Sequence, residues 1–276
     1  MYGAVIGDVI GSVYEWNNIK TKEFPLFSKE CSFTDDTILT IAAADWCMNG
    51  GAADDALRFW GEKYILSSTE NKYGKAWFGK GFMNWINNPD MGSYQAHTNG
   101  AVMRLSPIPF LIRDTPKAID KAFEFTNITH DHPESLKAVE AYIHVMHKIF
   151  KNENPEQIKD FIENKFGYNM HQSLEEIRNS YGKFDYTCAK TVPEAMTIAL
   201  NASSFEDTIR STISVGGDSD TLAAMSGALA EARFGIPRNI GTKTLQFLDK
   251  DVKNILHQQY TYPIEYPRAV KKEHVR

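Results

Sequence analysis

Ser214-Val-Gly-Gly-Asp218-Ser-Asp220-Thr221-Leu-Ala-Ala-Met-Ser-Gly-Ala-Leu-Ala-Glu-Ala232 is the stretch from which the rest of the chain can be read. Gly216 and Gly217 let the backbone turn sharply and come close to a ligand. Asp218 stands where a helix N-cap is expected, and Asp220 falls in the first turn, where exposed N–H groups favour negative charge. Behind them Leu222, Met225, Leu229 and Ala232 recur at helical spacing, so the carboxylates sit at the mouth of a buried helix. Taken alone, this is no more than a loop and a cap.

A second stretch changes that. Phe33-Thr-Asp-Asp-Thr37 again sets adjacent acids and threonines at a helix start, with Ile38, Ile41 and Ala42 behind. Four carboxylates and two hydroxyls converging in one pocket repel one another unless cations hold them. Oxygen ligands without neighbouring Cys or His suit Mg²⁺, Mn²⁺ or Ca²⁺ rather than Zn²⁺. The two motifs lie near opposite ends of the chain, so only the tertiary fold can close such a site.

Between them the helical period dominates. Gly3, Gly7 and Gly11, spaced by four, predict a small-residue helix that packs tightly along one face. Helices are predicted over 35–48, 53–66, 75–87, 99–112, 115–126 and 134–150, with another from Asn154-Pro155. Further helices are predicted over 173–180, 193–202, 204–213, 218–234 and 243–256. No alternating run marks a convincing strand. The expectation is one all-α domain over 1–276, a compact orthogonal helical bundle, with 262–276 a tail along the surface.

Of the 276 residues, 42% are apolar and 24% charged, as in an ordinary globular protein. A net charge of −5 gives no electrostatic case for nucleic acid or an anionic membrane. No stretch is long and apolar enough to span a membrane, and no basic leader precedes the first helix. Cys31, Cys47 and Cys188 show no paired spacing and read as reduced packing thiols of a cytoplasmic protein.

Four segments in this order carry a resemblance: Gly3-x-x-x-Gly7-Asp8-x-x-Gly11-Ser12, Phe33-Thr-Asp-Asp-Thr37, Asn99-Gly-Ala-Val-Met-Arg104 and Gly216-Gly-Asp-Ser-Asp-Thr221. From Met1 to about Gly235 the sequence resembles the ADP-ribosylglycohydrolases. The resemblance implies an all-α bundle around a dimetal cleft holding two Mg²⁺ (Mn²⁺ possible). It implies Thr34, Asp35, Asp36, Asp218, Asp220 and Thr221 as metal ligands, and hydrolysis of the glycosidic bond at the distal ribose of an ADP-ribosylated protein or small-molecule conjugate.

Gly11-Ser-Val-Tyr-Glu15 resembles the segment that carries a mobile catalytic glutamate in the branch cleaving O-linked ADP-ribose. Glu15, Asp35 and Asp220 are therefore the expected catalytic acids, and Asp8 a supporting one. Gly79 and Gly81, in Phe78-Gly-Lys-Gly-Phe82, resemble a glycine loop that approaches the diphosphate, although a plain helix-terminal turn fits as well. His97, Thr98, Asn99, Gly100 and His130 complete the expected substrate-binding set. The Ala96-His-Thr-Asn-Gly run departs from the usual Ser-x-Gly-Asn-Gly pattern. Arg104 suits a phosphate or, better, a buried arginine satisfying carbonyls. His130 and His132 flank Asp131, but without further Cys or His they do not make a zinc site. A member that binds ADP-ribose without cleaving it is the alternative function.

Overall fold

In the computed structural model, which describes residues 1–67, 78–181 and 184–264, α1 (Tyr2–Gly11) lies directly along a second helix, Ser219–Phe234. A Cβ added at Gly3 would stand 2.2 Å from the Gly227 carbonyl oxygen, and one at Gly7 1.9 Å from that of Ala223. At Gly11 it would stand 2.5 Å from the Cα of Asp220. No side chain fits at such distances. The glycines predicted to line one face therefore bring two helix backbones into contact, and Gly227 reciprocates against the Gly3 carbonyl at 2.3 Å.

In chain order the helices after α1 are α2 (Asp35–Asn49), α3 (Ala53–Ser67), α4 (Lys80–Ile86), α5 (Pro107–Leu111), α6 (Thr115–Thr126), α7 (Pro133–Phe150) and α8 (Pro155–Phe166). They continue with α9 (Leu174–Ser180), α10 (Cys188–Asn201), α11 (Phe205–Ile213), α12 (Ser219–Phe234), α13 (Arg238–Thr244) and α14 (Lys250–Thr261). The fold is all-α. No strand occurs among the described residues, only one isolated bridge between Thr98 and Thr187. No described helix is long and apolar enough to cross a membrane.

Local chemistry explains most helix starts. Asp114, Asn154, Ser204 and Asp249 each accept a hydrogen bond from a first-turn N–H, and Ser173 forms a reciprocal capping box with Glu176. α12 is buried on every side from Ser219 to Ala230, with α1, α7, α10 and α11 packed around it. A helix apolar all round belongs in the middle of a bundle. Trp46, Trp60 and Trp85 are buried in the core. Trp77 and the tail beyond 264 lie outside the described residues.

Three predicted helices differ. The segment 99–112 is a single 3₁₀ turn, Asn99–Ala101, then α5, because Pro107 and Pro109 cannot continue a helix from Arg104. The helix expected to begin at Pro193 starts at Cys188, so Pro193 lies inside it. The stretch 243–256 divides into α13, a 3₁₀ turn at Leu245–Phe247, and α14, whose start is fixed by the Asp249 cap. In the predicted 75–87 helix, α4 begins at Lys80, and 68–77 lies outside the described residues.

The glycine contact makes a direct prediction. Gly7→Ala forces a methyl into the α12 backbone and should cost about 3 kcal/mol or more, at the upper end of overpacking effects. Gly92→Ala, where an added Cβ meets nothing within 4 Å, should stay within about 0.5 kcal/mol. Urea unfolding of the two variants beside the parent measures both.

Candidate active site

Asp8, on the second turn of α1, is wholly buried and its carboxylate accepts four hydrogen bonds from the start of α2. Thr34 donates through its N–H (2.9 Å) and hydroxyl (2.8 Å), and Thr37 through its N–H (3.1 Å) and hydroxyl (2.5 Å). Asp8 thus positions the acid-bearing end of α2. Burial pushes its pKa up to about 6, against the pull of those four donors.

The glycine ridge aligns that same end with α12. One oxygen each from Asp8, Asp36 and Asp220 lie within 4.8 Å of one another, as do oxygens of Glu15, Asp218 and Asp220. Thr221 donates its hydroxyl to Asp36 Oδ2 at 3.0 Å, while Asp36 Oδ1 is buried without a hydrogen-bond partner. Asp218 occupies the N-cap position of α12, yet its side chain does not cap the helix; it accepts from Asn99 Nδ2 at 2.6 Å. Gly216 and Gly217 (φ +78° and +70°) make the turn that aims it there.

Crowding shows in the protonation of these acids. Asp220 is raised well above the usual carboxylate range by desolvation and then by the charges of Glu15, Asp218, Asp36 and Asp8. Asp36 is raised likewise by desolvation, Asp8, Asp35 and Asp218. Asp35, half-exposed on the cleft wall, is raised by desolvation, then Asp8, Asp218 and Glu15. A cluster of acids with one buried oxygen unpartnered, and no nitrogen or sulfur donor in it, fits a hard divalent cation.

These acids form one wall of a cavity of about 860 Å³. It is also lined by Thr34, Thr221, Gly79, Gly81, Thr98, Asn99, Gly100 and His130. Every expected site residue therefore meets in one cavity except His97. That side chain is exposed, its ring packed 5.4 Å from the His132 ring, and it is not among the lining residues.

His130 is held neutral, its pKa pushed well below the usual range by burial and then by the charge of Arg104. Its ring pairs with Thr98 Oγ1 at 3.0 Å and Thr129 Oγ1 at 2.8 Å. His132 acts elsewhere, its Nδ1 accepting from the Glu134 N–H to cap α7. The two histidines do not share a site. Arg104 is fully buried and reaches no carbonyl among the described residues. It donates to Thr129 Oγ1 at 2.7 Å, while its Nε and Nη1 find no acceptor.

Sequence patterns gave no sign of Tyr94, Phe184 and Tyr186, which also line the cavity. Trp16, which adjoins Glu15, is 59% exposed at its mouth and stacks on Phe184 with ring centroids 5.2 Å apart. No spacing rule marks Phe184 or Tyr186, since both stand in the loop before α10 and far in sequence from the acids.

The sequence over residues 1–261 matches the ADP-ribosylglycohydrolase family. ADP-ribosylarginine hydrolase Tri1 of Pseudomonas putida (strain GB-1) is 23% identical over 272 residues, covering 86% of this chain and 70% of that protein. ADP-ribosylarginine hydrolase Tri1 of Serratia proteamaculans (strain 568) is 23% identical over 305 residues, covering 94% and 77%. A solved structure, an ADP-ribosylglycohydrolase-related protein complex, shares the fold with a TM-score of 0.68 at 19% identity, each chain 94% covered.

The acid cluster predicts opposite responses to charge removal and cation addition. In EDTA, Asp220→Asn should melt at a higher temperature than the parent, because one mutually repelling carboxylate is gone. MgCl₂ or MnCl₂ at a hundredfold excess over Kd should stabilise the parent by about 2.7 kcal/mol, and the variant far less. Thermal melts with and without each cation read both responses.

Proposed function

The chain belongs to the ADP-ribosylglycohydrolase family of hydrolases, and we propose that it cleaves the glycosidic bond at the distal ribose of ADP-ribosylated substrates with the help of hard divalent cations. The observation that carries this reading is the acid cluster itself: Asp36, Asp218 and Asp220 converge at one wall of a substrate-sized cavity, with Asp36 Oδ1 buried and unpartnered. Thr34, Asp35, Asp36, Asp218, Asp220 and Thr221 would hold two Mg²⁺, or Mn²⁺. When bound, such ions supply positive charge that orients the ribose hydroxyls and polarises a reacting oxygen.

The remaining chemistry belongs to the chain. Glycosidic cleavage passes through a state with positive charge on the sugar ring, and the negative wall around Asp35 stabilises it. Glu15 stands beside Asp218 and Asp220 on the same cavity. In the proposed step its carboxyl protonates the departing acceptor oxygen, and its carboxylate then takes a proton from the water that completes hydrolysis. Neutral His130, the N–H groups around Gly79 to Gly81 and the unpartnered N–H groups of Arg104 suit the anionic remainder of the substrate.

We favour an O-linked acceptor, serine-like or small-molecule. Among the described lining residues, Glu15 is the only carboxylate outside the expected ligand set, whereas a guanidinium calls for a bidentate acidic partner. An arginine-linked substrate is the second reading, and the names of the two relatives favour it.

With Mg²⁺ present, ADP-ribose release should be faster from a serine-linked than from a matched arginine-linked ADP-ribosyl peptide. A tenfold preference for arginine reverses the choice of acceptor, and tight ADP-ribose binding without release from any conjugate makes the protein a binder. Glu15→Ala should lower kcat by on the order of 10²-fold while ADP-ribose affinity, followed by calorimetry, changes little.

A further inference from the structure

Asn17, Asn18 and Lys20 have the polarity of a loosely held loop, but the structure uses Asn18 and Lys20 as fastenings. The Asn18 amide bonds the chain on both sides of a gap. Its Nδ2 donates to the carbonyls of Tyr14 (2.8 Å), Glu15 (2.7 Å) and Gly217 (3.2 Å), and its Oδ1 accepts the Gly217 N–H at 2.6 Å. A side-chain amide has two donors and one acceptor oxygen, and here all are engaged with backbone. Gly217 immediately precedes Asp218, so one side chain joins the backbone of Glu15 to the turn that aims the α12 acids.

Lys20 makes a second fastening of different chemistry. Its ammonium donates to the carbonyls of Val215, Tyr181 (3.0 Å) and Arg178 (3.3 Å). Tyr181 ends α9 and Val215 follows α11, so the cation sits where two helices present their negative ends.

We propose that Asn18 is a positioning residue for the reaction: its amide clasps the Glu15 segment to the Gly216–Gly217 turn and so sets the Glu15 carboxylate against Asp218 and Asp220, with Lys20 as the anchor. The proposal rests on Glu15 acting in hydrolysis as argued above. Among the described residues the Asn18 side chain hydrogen-bonds to backbone alone, so it acts through the placement of Glu15. The Glu15 carbonyl is one bond from the Glu15 Cα, so losing the clasp frees the Glu15 carboxylate from the turn before Asp218, while Asp36 on α2 and Asp220 within α12 are held by their own helices.

The test uses the full chain, with Asn18→Ala and Lys20→Met beside the parent. Hydrogen exchange, which needs neither substrate nor cation, should show the Gly217 amide exchanging on the order of tenfold faster in Asn18→Ala, with the core amides of α12 unchanged. On the conjugate the parent cleaves best, kcat should fall by about 10-fold to 10²-fold for Asn18→Ala, with KM and ADP-ribose affinity within about twofold. Lys20→Met should move both readouts in the same direction. Unchanged Gly217 exchange, an unchanged kcat, or a loss of kcat accompanied by faster exchange throughout the core overturns the proposal. If the parent hydrolyses no conjugate, the reaction assignment fails, and with it the catalytic role of Asn18, while the exchange result still decides whether the clasp exists.

Discussion

Everything at the site depends on two helix backbones touching. Gly3, Gly7 and Gly11 on α1 meet Gly227, Ala223 and Asp220 on α12 without an intervening side chain. Interiors are packed too densely to absorb a shift there. The contact does more than fill space: Gly11 rests on the backbone of Asp220, one turn beyond Asp8. The same ridge that joins the helices therefore sets the distance between the acid that organises α2 and the acids that begin α12. Replacing the glycines by larger residues would separate the helices and the acid cluster together.

From that ridge the acids are arranged in two ranks. Asp8 is saturated by Thr34 and Thr37, four donors on one carboxylate, so its charge is satisfied by protein. Asp36 and Asp220 are not: one Asp36 oxygen has no partner, and Asp220 is pushed toward protonation by burial and then by its acidic neighbours. Buried carboxylates left this way destabilise a fold unless a positive charge joins them. This asymmetry, more than the number of acids, separates a ligand cluster from a structural network. It also accounts for Asn99, whose amide donates to Asp218 at 2.6 Å.

The turn between α1 and the cavity mouth shows how polarity can mislead. Asn18 and Lys20 look like solvated loop residues, yet they supply the donors and acceptors that the backbone around Gly217, Val215 and Tyr181 requires. Buried backbone groups need partners, and where no helix or strand provides them a side chain does. Trp16, only two positions before Asn18 and exposed as Asn18 is, instead stacks on Phe184 at the cavity mouth. Neighbours in sequence here meet different partners, one the backbone around Gly217 and the other an aromatic ring.

The sequence by itself determined what short-range physics controls. Helix starts at Thr34, Asn154, Ser173 and Ser204, the tight face of α1, the buried small-residue helix after Gly217, and the acids at two helix mouths all follow from spacing and capping within a few residues. Where prolines and caps act together, as from Pro107 to Pro109 and around Asp249, a periodic pattern was not enough, because the loss of one N–H or the gain of one cap outweighs periodicity locally. Only the tertiary structure decided which residues meet: Asp8 with Thr37, Asn99 with Asp218, Asn18 with Gly217, and Phe184 with Trp16. Each pair is brought together by chain closure over long separations, and nothing in the local sequence of either partner encodes the other.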